Sequence, residues 1–136
     1  MDIRQQSSRA KPRRSTDNRA ATGRRGESAA ADYLANLGYR IVERNWRCRI
    51  GEIDLIADDG GTLVFVEVRA RTNPTKYGTA LEAVTPLKQR QVRDVAAYYL
   101  AQRNSATSPS IRCDVVAVTF RTDGSIAELR HIPGAF

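Results

Sequence analysis

Two cysteines and a single histidine occur in the 136 residues of this chain, and that scarcity narrows the chemistry at once. Cys48 and Cys113 are too few for a disulfide scaffold and too poorly spaced for a zinc site, so both are expected to be reduced. With His131 as the lone imidazole, neither a Ser-His-Asp or Cys-His arrangement nor a histidine-rich metal centre is expected. No apolar run is long enough to span a membrane, and the N-terminal segment lacks the apolar core of a secretory signal. A cytoplasmic protein is the expectation, and any chemistry should run on carboxylates.

What is present is one domain's worth of chain, with 41% hydrophobic residues and a formal charge of +7 that suggests a polyanionic partner. The charge is unevenly placed. Eight of the 22 basic residues but only two of the 15 acids lie before Glu27, so the rest of the chain is close to neutral. Residues 1 to 21 have almost no large apolar side chains and are expected to form a disordered basic arm, either a solubilising extension or a nucleic-acid-binding one. Residues 22 to 136 would form the folded domain.

That domain reads as α/β, in the order αβββαββ. Ala30, Tyr33, Leu34 and Leu37 recur at helical spacing from Gly26 onward, and Gly38 supplies a left-handed stop. Tyr39 to Asn45 alternates as a strand. Gly51 to Arg71, GEIDLIADDGGTLVFVEVRAR, reads as a hairpin whose turn contains Gly60 and Gly61. Thr85 and Pro86 start a second helix to about Gln102, with Val92, Val95, Ala96 and Tyr99 inward. A largely buried strand, Ile111 to Phe120, and a last one, Ser125 to His131, follow.

The hairpin holds the most informative residues. On an alternating strand Glu52, Asp54 and Ile56 share one face and Ile53, Leu55 and Ala57 the other; Leu63, Phe65, Glu67 and Arg69 share a face of the next strand. A turn on Gly60-Gly61 sets Asp54 opposite Glu67 and Glu52 opposite Arg69, whereas a turn on Asp59-Gly60 sets Glu52 opposite Glu67. Either register makes Asp54 and Glu67 neighbours. Like charges so placed need compensation, by Arg69 in a structural ion pair or by a hard divalent cation. Glu27, on or beside the buried stripe of the first helix, is either an N-terminal acid favoured by the helix dipole or a third carboxylate reaching the strands.

The pattern Gly23-x-x-Gly26-Glu27, then YLANLGY, RNWR, GEIDLIA, VFVEVRAR, YGTALEAVTPLKQRQV and the closing Ala135-Phe136 resembles the bacterial YraN family of predicted endonuclease-like proteins, over residues 23 to 136. The resemblance implies a restriction-endonuclease-like fold of the PD-(D/E)xK nuclease superfamily, which includes Holliday-junction resolvases, with a central mixed sheet flanked by helices. It implies Asp54 and Glu67 as the motif acids and Glu27 as the first-helix glutamate. Asp54, Glu67, the Val68 carbonyl and Glu27 would then hold Mg²⁺ or Mn²⁺ for phosphodiester hydrolysis in DNA, preferred here over RNA. Arg69 stands where the motif has lysine. Arginine cannot serve as a base, but it can grip a phosphate and offset charge. If the lysine is indispensable, the chain would bind nucleic acid without turnover.

Lys76 and Lys88 are candidates to replace that lysine by migration, although exposure habits favour solvent or phosphate contacts for both. Arg44, Arg47, Arg49, Arg71, Lys76, Lys88, Arg90 and Arg93 would neutralise phosphates without reading bases. Trp46 could stack on an unpaired base, but burial habit favours a cap on the core edge. A two-fold homodimer would suit a symmetric junction; no helix face demands one.

Overall fold

The computed structural model describes residues 14–72, 84–103 and 109–136. Its elements are α1 (Arg14–Asn36), β1 (Arg40–Cys48), β2 (Gly51–Asp59), β3 (Thr62–Thr72), α2 (Pro86–Gln102), β4 (Ser110–Phe120) and β5 (Ile126–Ile132). They follow the expected order αβββαββ.

Helix α1 starts at Arg14, well before Gly26, which corrects one expectation: residues 14 to 21 of the basic arm are helical rather than disordered. Once a helix exists, each further residue adds a hydrogen bond at little cost, and Arg and Ala are good helix formers. Residues 1–13 lie outside the described residues. The helix ends as its glycine predicts. Gly38 takes φ 98°, Tyr39 N–H donates to the Leu34 carbonyl at 3.0 Å and Gly38 N–H to the Ala35 carbonyl at 3.0 Å, the paired bonds of a left-handed helix terminus. Helix α2 begins where Thr85 Oγ1 accepts from the Lys88 N–H at 3.2 Å and Pro86 takes the first turn. Its buried residues are the four expected, Val92, Val95, Ala96 and Tyr99.

The five strands form one mixed sheet in the order β1-β2-β3-β4-β5. Neighbours are antiparallel except β3 and β4, which run parallel because α2 crosses over between them. Helix α1 lies on one face, where Ala30, Ala31 and Leu34 meet Leu55, Ala57, Val64, Val66, Val116 and Val118. Helix α2 lies on the other, where Val92, Val95, Ala96 and Tyr99 meet Ile53, Ile56, Leu63, Phe65 and Cys113. Covered on both faces, β3 is buried from Leu63 to Glu67, and this explains its nearly unbroken apolar run. The sandwich of helices on a mixed sheet is consistent with a restriction-endonuclease-like fold.

The hairpin adopts the first of its two registers. Asp59 pairs with Thr62, and Gly60 and Gly61 both take positive φ, 60° and 101°, as a tight two-residue turn requires. Gly26 has a different task. A Cβ there would lie 2.5 Å from the Ala70 Cβ, so its absence lets α1 sit directly on β3 and delivers the next residue, Glu27, to the sheet.

Candidate active site

The ladder between β2 and β3 runs from Asp59↔Thr62 to Leu55↔Val66. Beyond it, the same register brings Asp54 opposite Glu67, and Asp54 replaces the lost ladder bond by accepting the Val68 N–H on Oδ2 at 2.8 Å. Across the other edge of β2, Asn45 occupies the gap between the pairs Arg44↔Leu55 and Trp46↔Ile53. It has φ 52°, the one positive-φ residue other than glycine among the described residues, and asparagine tolerates that conformation well.

These irregularities overturn one expectation about faces. Ile53 and Leu55 should share a side of β2, yet Ile53 packs with α2 and Leu55 with α1. The alternation inverts at Asp54, where the strand bends. Asp54 is thus placed at the turnover point, within reach of groups from both faces.

Glu27 arrives from the α1 face and Glu67 from the α2 face. The Glu27 carboxyl lies close enough to Asn45 and Asp54 for both to bear on its ionisation. Of its two readings, the structure favours the one that reaches the strands. Burial, then the Asp54 charge, raises its pKa. Asp54 itself is pushed up to about 6, first by burial and then by the Glu67 charge. Glu67 is 4% exposed, and burial raises its pKa although Lys88 and Arg69 pull the other way. Arg69 Nη1 stands 3.3 Å from Glu67 Oε2 and Lys88 Nζ 3.8 Å from the same oxygen. Two cations therefore face three carboxylates, and the acids remain harder to ionise than in water.

Glu52 is held at the rim, where Arg47 Nε approaches its Oε1 at 2.9 Å in a largely exposed pair. Arg69 and Lys88 are the expected phosphate ligands that the fold brings to the acids. Arg44, Arg49 and Arg90 are exposed and Arg71 is half-buried. Arg93 is drawn aside, its guanidinium 5.6 Å from the Phe136 ring. Lys76 lies outside the described residues. Trp46 caps the core edge, its ring edge-on to Tyr99 at 5.0 Å.

Among the described residues, no three His, Cys, Asp or Glu side chains are placed to hold one metal ion. Glu27 therefore does not close a three-carboxylate cage. Two carboxylates remain, and the donors are hard oxygens with raised pKa values. Mg²⁺ is commonly held by one or two carboxylates with substrate phosphate and water completing its shell, so the donor chemistry of Asp54 and Glu67 fits such an ion.

A second cluster was not foreseen. Asp114, fully buried on β4, accepts from Arg112 Nε at 2.8 Å, Arg112 Nη2 at 3.1 Å, His131 Nε2 at 2.8 Å and the Gly134 N–H at 2.9 Å. Burial pushes its carboxyl up, but these donors outweigh burial and the net pKa is lowered. Arg112 also reaches Asp59 at 3.2 Å and the Tyr39 hydroxyl at 2.7 Å. The clue was a lone acid inside the apolar run IRCDVVAV, with an arginine two residues away on the same face.

The pattern of a family described as "Uncharacterised protein family UPF0102" matches residues 26–118. A UPF0102 protein of Pelotomaculum thermopropionicum is 47% identical over 120 residues, covering 88% of this chain and 98% of its own. One from Moorella thermoacetica is 47% identical over 121 residues, covering 89% and 99%, and one from Syntrophus aciditrophicus is 49% identical over 108, covering 79% and 84%. On this match and these relatives, the chain belongs to the UPF0102 family.

Proposed function

We propose that this chain is a metal-dependent endonuclease that hydrolyses phosphodiester bonds in DNA. The observation that carries the reading is the convergence of Glu27, Asp54 and Glu67 from three elements on one bend of β2, with too little positive charge to satisfy them. Acids with raised pKa values gathered at one place are candidates for a functional site. The resemblance to PD-(D/E)xK nucleases supports the same assignment for Glu27, Asp54 and Glu67.

Mg²⁺ or Mn²⁺ held by Asp54, Glu67 and the Val68 carbonyl, with Glu27 behind them, would supply Lewis acidity and a more acidic water. In the reaction, a water oxygen bonds to phosphorus and the bond to one sugar oxygen breaks. One water proton ends on the leaving hydroxyl and the other on the new phosphate or in solvent. Asp54 and Glu67 would repel the substrate by themselves, so positive charge beside them must offset that of the phosphate as it approaches. Arginines and lysines meet phosphates without reading bases, and the reading is of selection by the shape of branched or damaged DNA. A cytoplasmic location and a two-fold dimer on symmetric junctions accord with this substrate.

One observation favours a second reading, a nucleic-acid-binding protein without turnover: Arg69, which cannot lose its proton, is paired with Glu67. The test is cleavage of linear, flapped and four-way DNA in Mg²⁺ or Mn²⁺. Cleavage that vanishes in Asp54→Asn and Glu67→Gln and persists or rises in Arg69→Lys is the expected result. Salt-sensitive binding with no cleavage in either metal would leave the second reading standing.

A further inference from the structure

We infer that Lys88 is a catalytic residue whose ammonium touches the scissile phosphate above the Asp54–Glu67 pair, taking the place that the side chain of Arg69 cannot fill. The inference rests on the nuclease reading and adds a residue to it.

The two cations near the acids differ in what they face. Arg69 lies two residues from Glu67 on the same face of β3 and donates to Oε2 at 3.3 Å; it acts as that acid's neighbour. Lys88 comes from another element. Its ammonium stands 3.8 Å from Glu67 Oε2, and its charge bears on both Glu67 and Asp54. A separation of 3.8 Å is attraction without a hydrogen bond. Among the described residues no hydrogen-bond acceptor meets the Lys88 ammonium, which carries three donors.

The position is also built. Thr85 Oγ1 caps the Lys88 N–H, and Gln89 Nε2 donates to the Val84 carbonyl at 3.1 Å, so the first turn of α2 is fixed against the chain leading into it. These are the contacts of a capped helix start, and they fix the backbone from which Lys88 projects. At 33% side-chain exposure, Lys88 keeps its stem covered and its head at the acids, the posture of a cation waiting for an anion. A phosphate oxygen placed between Lys88 and the acid pair would meet positive charge on one side. The other side is left for whatever Asp54 and Glu67 hold.

The experiment compares the unaltered chain with Lys88→Met and Lys88→Arg in three measurements: cleavage of four-way DNA in Mn²⁺, binding of a short DNA duplex in EDTA across a salt series, and urea unfolding. Lys88→Met should lower cleavage by about 100-fold and flatten the logarithmic salt dependence of binding by about one unit. Lys88→Arg, which keeps the charge, should restore the salt dependence and recover part of the cleavage. Unchanged cleavage and salt slope in folded Lys88→Met overturn the inference while leaving the nuclease reading intact. If Lys88→Met does not fold, Lys88→Arg and Lys88→Gln decide by the same two readouts. No cleavage by the unaltered chain in any metal overturns the nuclease reading, and this inference with it.

Discussion

Asp54 and Asp114 are aspartates on strands of the same sheet, both withdrawn from water, and the fold treats them in opposite ways. Asp114 accepts four hydrogen bonds from Arg112, His131 and Gly134, and its carboxyl is held below the ordinary range once those donors have outweighed burial. Asp54 accepts the Val68 N–H, has Glu67 and Glu27 for neighbours, and is pushed up to about 6. The first is a knot that ties β4, β5 and the C-terminal residues together. The second is a fork whose charges work against folding. A satisfied buried acid explains itself by stability, whereas an unsatisfied one needs another explanation, and the proposed divalent cation would supply it.

The most severe way to break this comparison is at the knot. Asp114→Ala leaves the Arg112 guanidinium and His131 facing a void, and removing one partner from a buried charged network costs about 3–5 kcal/mol. Urea unfolding should show that loss. Because Gly134 loses its acceptor, hydrogen exchange at residues 133–136 should accelerate. A loss below about 1 kcal/mol would mean that Asp114 is not the structural centre described here.

The matching change at the fork should have the opposite sign. Asp54→Asn keeps an oxygen for the Val68 N–H and removes the charge, so the fold should gain about 1–3 kcal/mol above pH 7. The sign follows from a folded pKa of about 6 against an ordinary value of 3.8. Folding favours the protonated form, so the contribution of Asp54 is full below about pH 4 and is lost as pH rises through about 6. The advantage of Asp54→Asn should therefore appear over that window and be absent at pH 4. Asp114 runs the other way: its lowered pKa gives stability above the ordinary range, which is lost as pH falls through the folded value. Unfolding measured from pH 3 to 8 separates the two acids in one series.

The contrast between these acids was only half legible in the sequence. Hairpin register, the N-terminus of α2 and the left-handed end of α1 depend on residues close together in the chain: Gly60 with Gly61, Thr85 with Pro86, and Gly38. Local rules reached the two helix ends and narrowed the hairpin to two registers, between which the structure decides. The knot joins Tyr39, Asp59, Arg112, Asp114 and His131 across three strands and a connecting turn; the Arg112 and Asp114 spacing hinted at its centre, but no local spacing brings in the other three. Asp54 and Glu67 were found because one tight turn brings them together. The inversion of β2 at Asp54 was missed because side-chain patterning reveals neither it nor the positive φ of Asn45 on the neighbouring strand. The early start of α1 was missed because composition favoured disorder where an existing helix could simply be extended.

A milder probe sharpens the comparison by moving one acid without removing it. Gly26→Ala would set a methyl 2.5 Å from the Ala70 Cβ. Both groups are fixed to backbone, so α1 must lift from β3. Overpacking of this kind costs about 1–3 kcal/mol, offset by nearly 1 kcal/mol of helix propensity. If lifting α1 withdraws Glu27 from Asp54, the gain from Asp54→Asn should shrink in the Gly26→Ala background, and a double-mutant cycle reads the difference. Full additivity would show that Glu27 does not bear on Asp54.

The smallest effect belongs to the rim, where the fork meets water. Arg47 and Glu52 are paired at 2.9 Å, but their side chains are 75% and 47% exposed, and pairs so solvated contribute between zero and about 1 kcal/mol. Arg47→Ala should therefore change unfolding by less than about 1 kcal/mol, with the difference fading in high salt. On the proposed nuclease reading, its consequence for DNA binding is more telling than its consequence for the fold. If Arg47 leaves Glu52 to meet a phosphate, Arg47→Ala should flatten the salt dependence of DNA binding by about one unit, and Glu52→Gln should tighten binding by freeing the arginine. If neither variant alters binding, the DNA path does not cross this edge of β1, and the phosphate contacts are confined to the side of the fork where Lys88 and Arg69 stand.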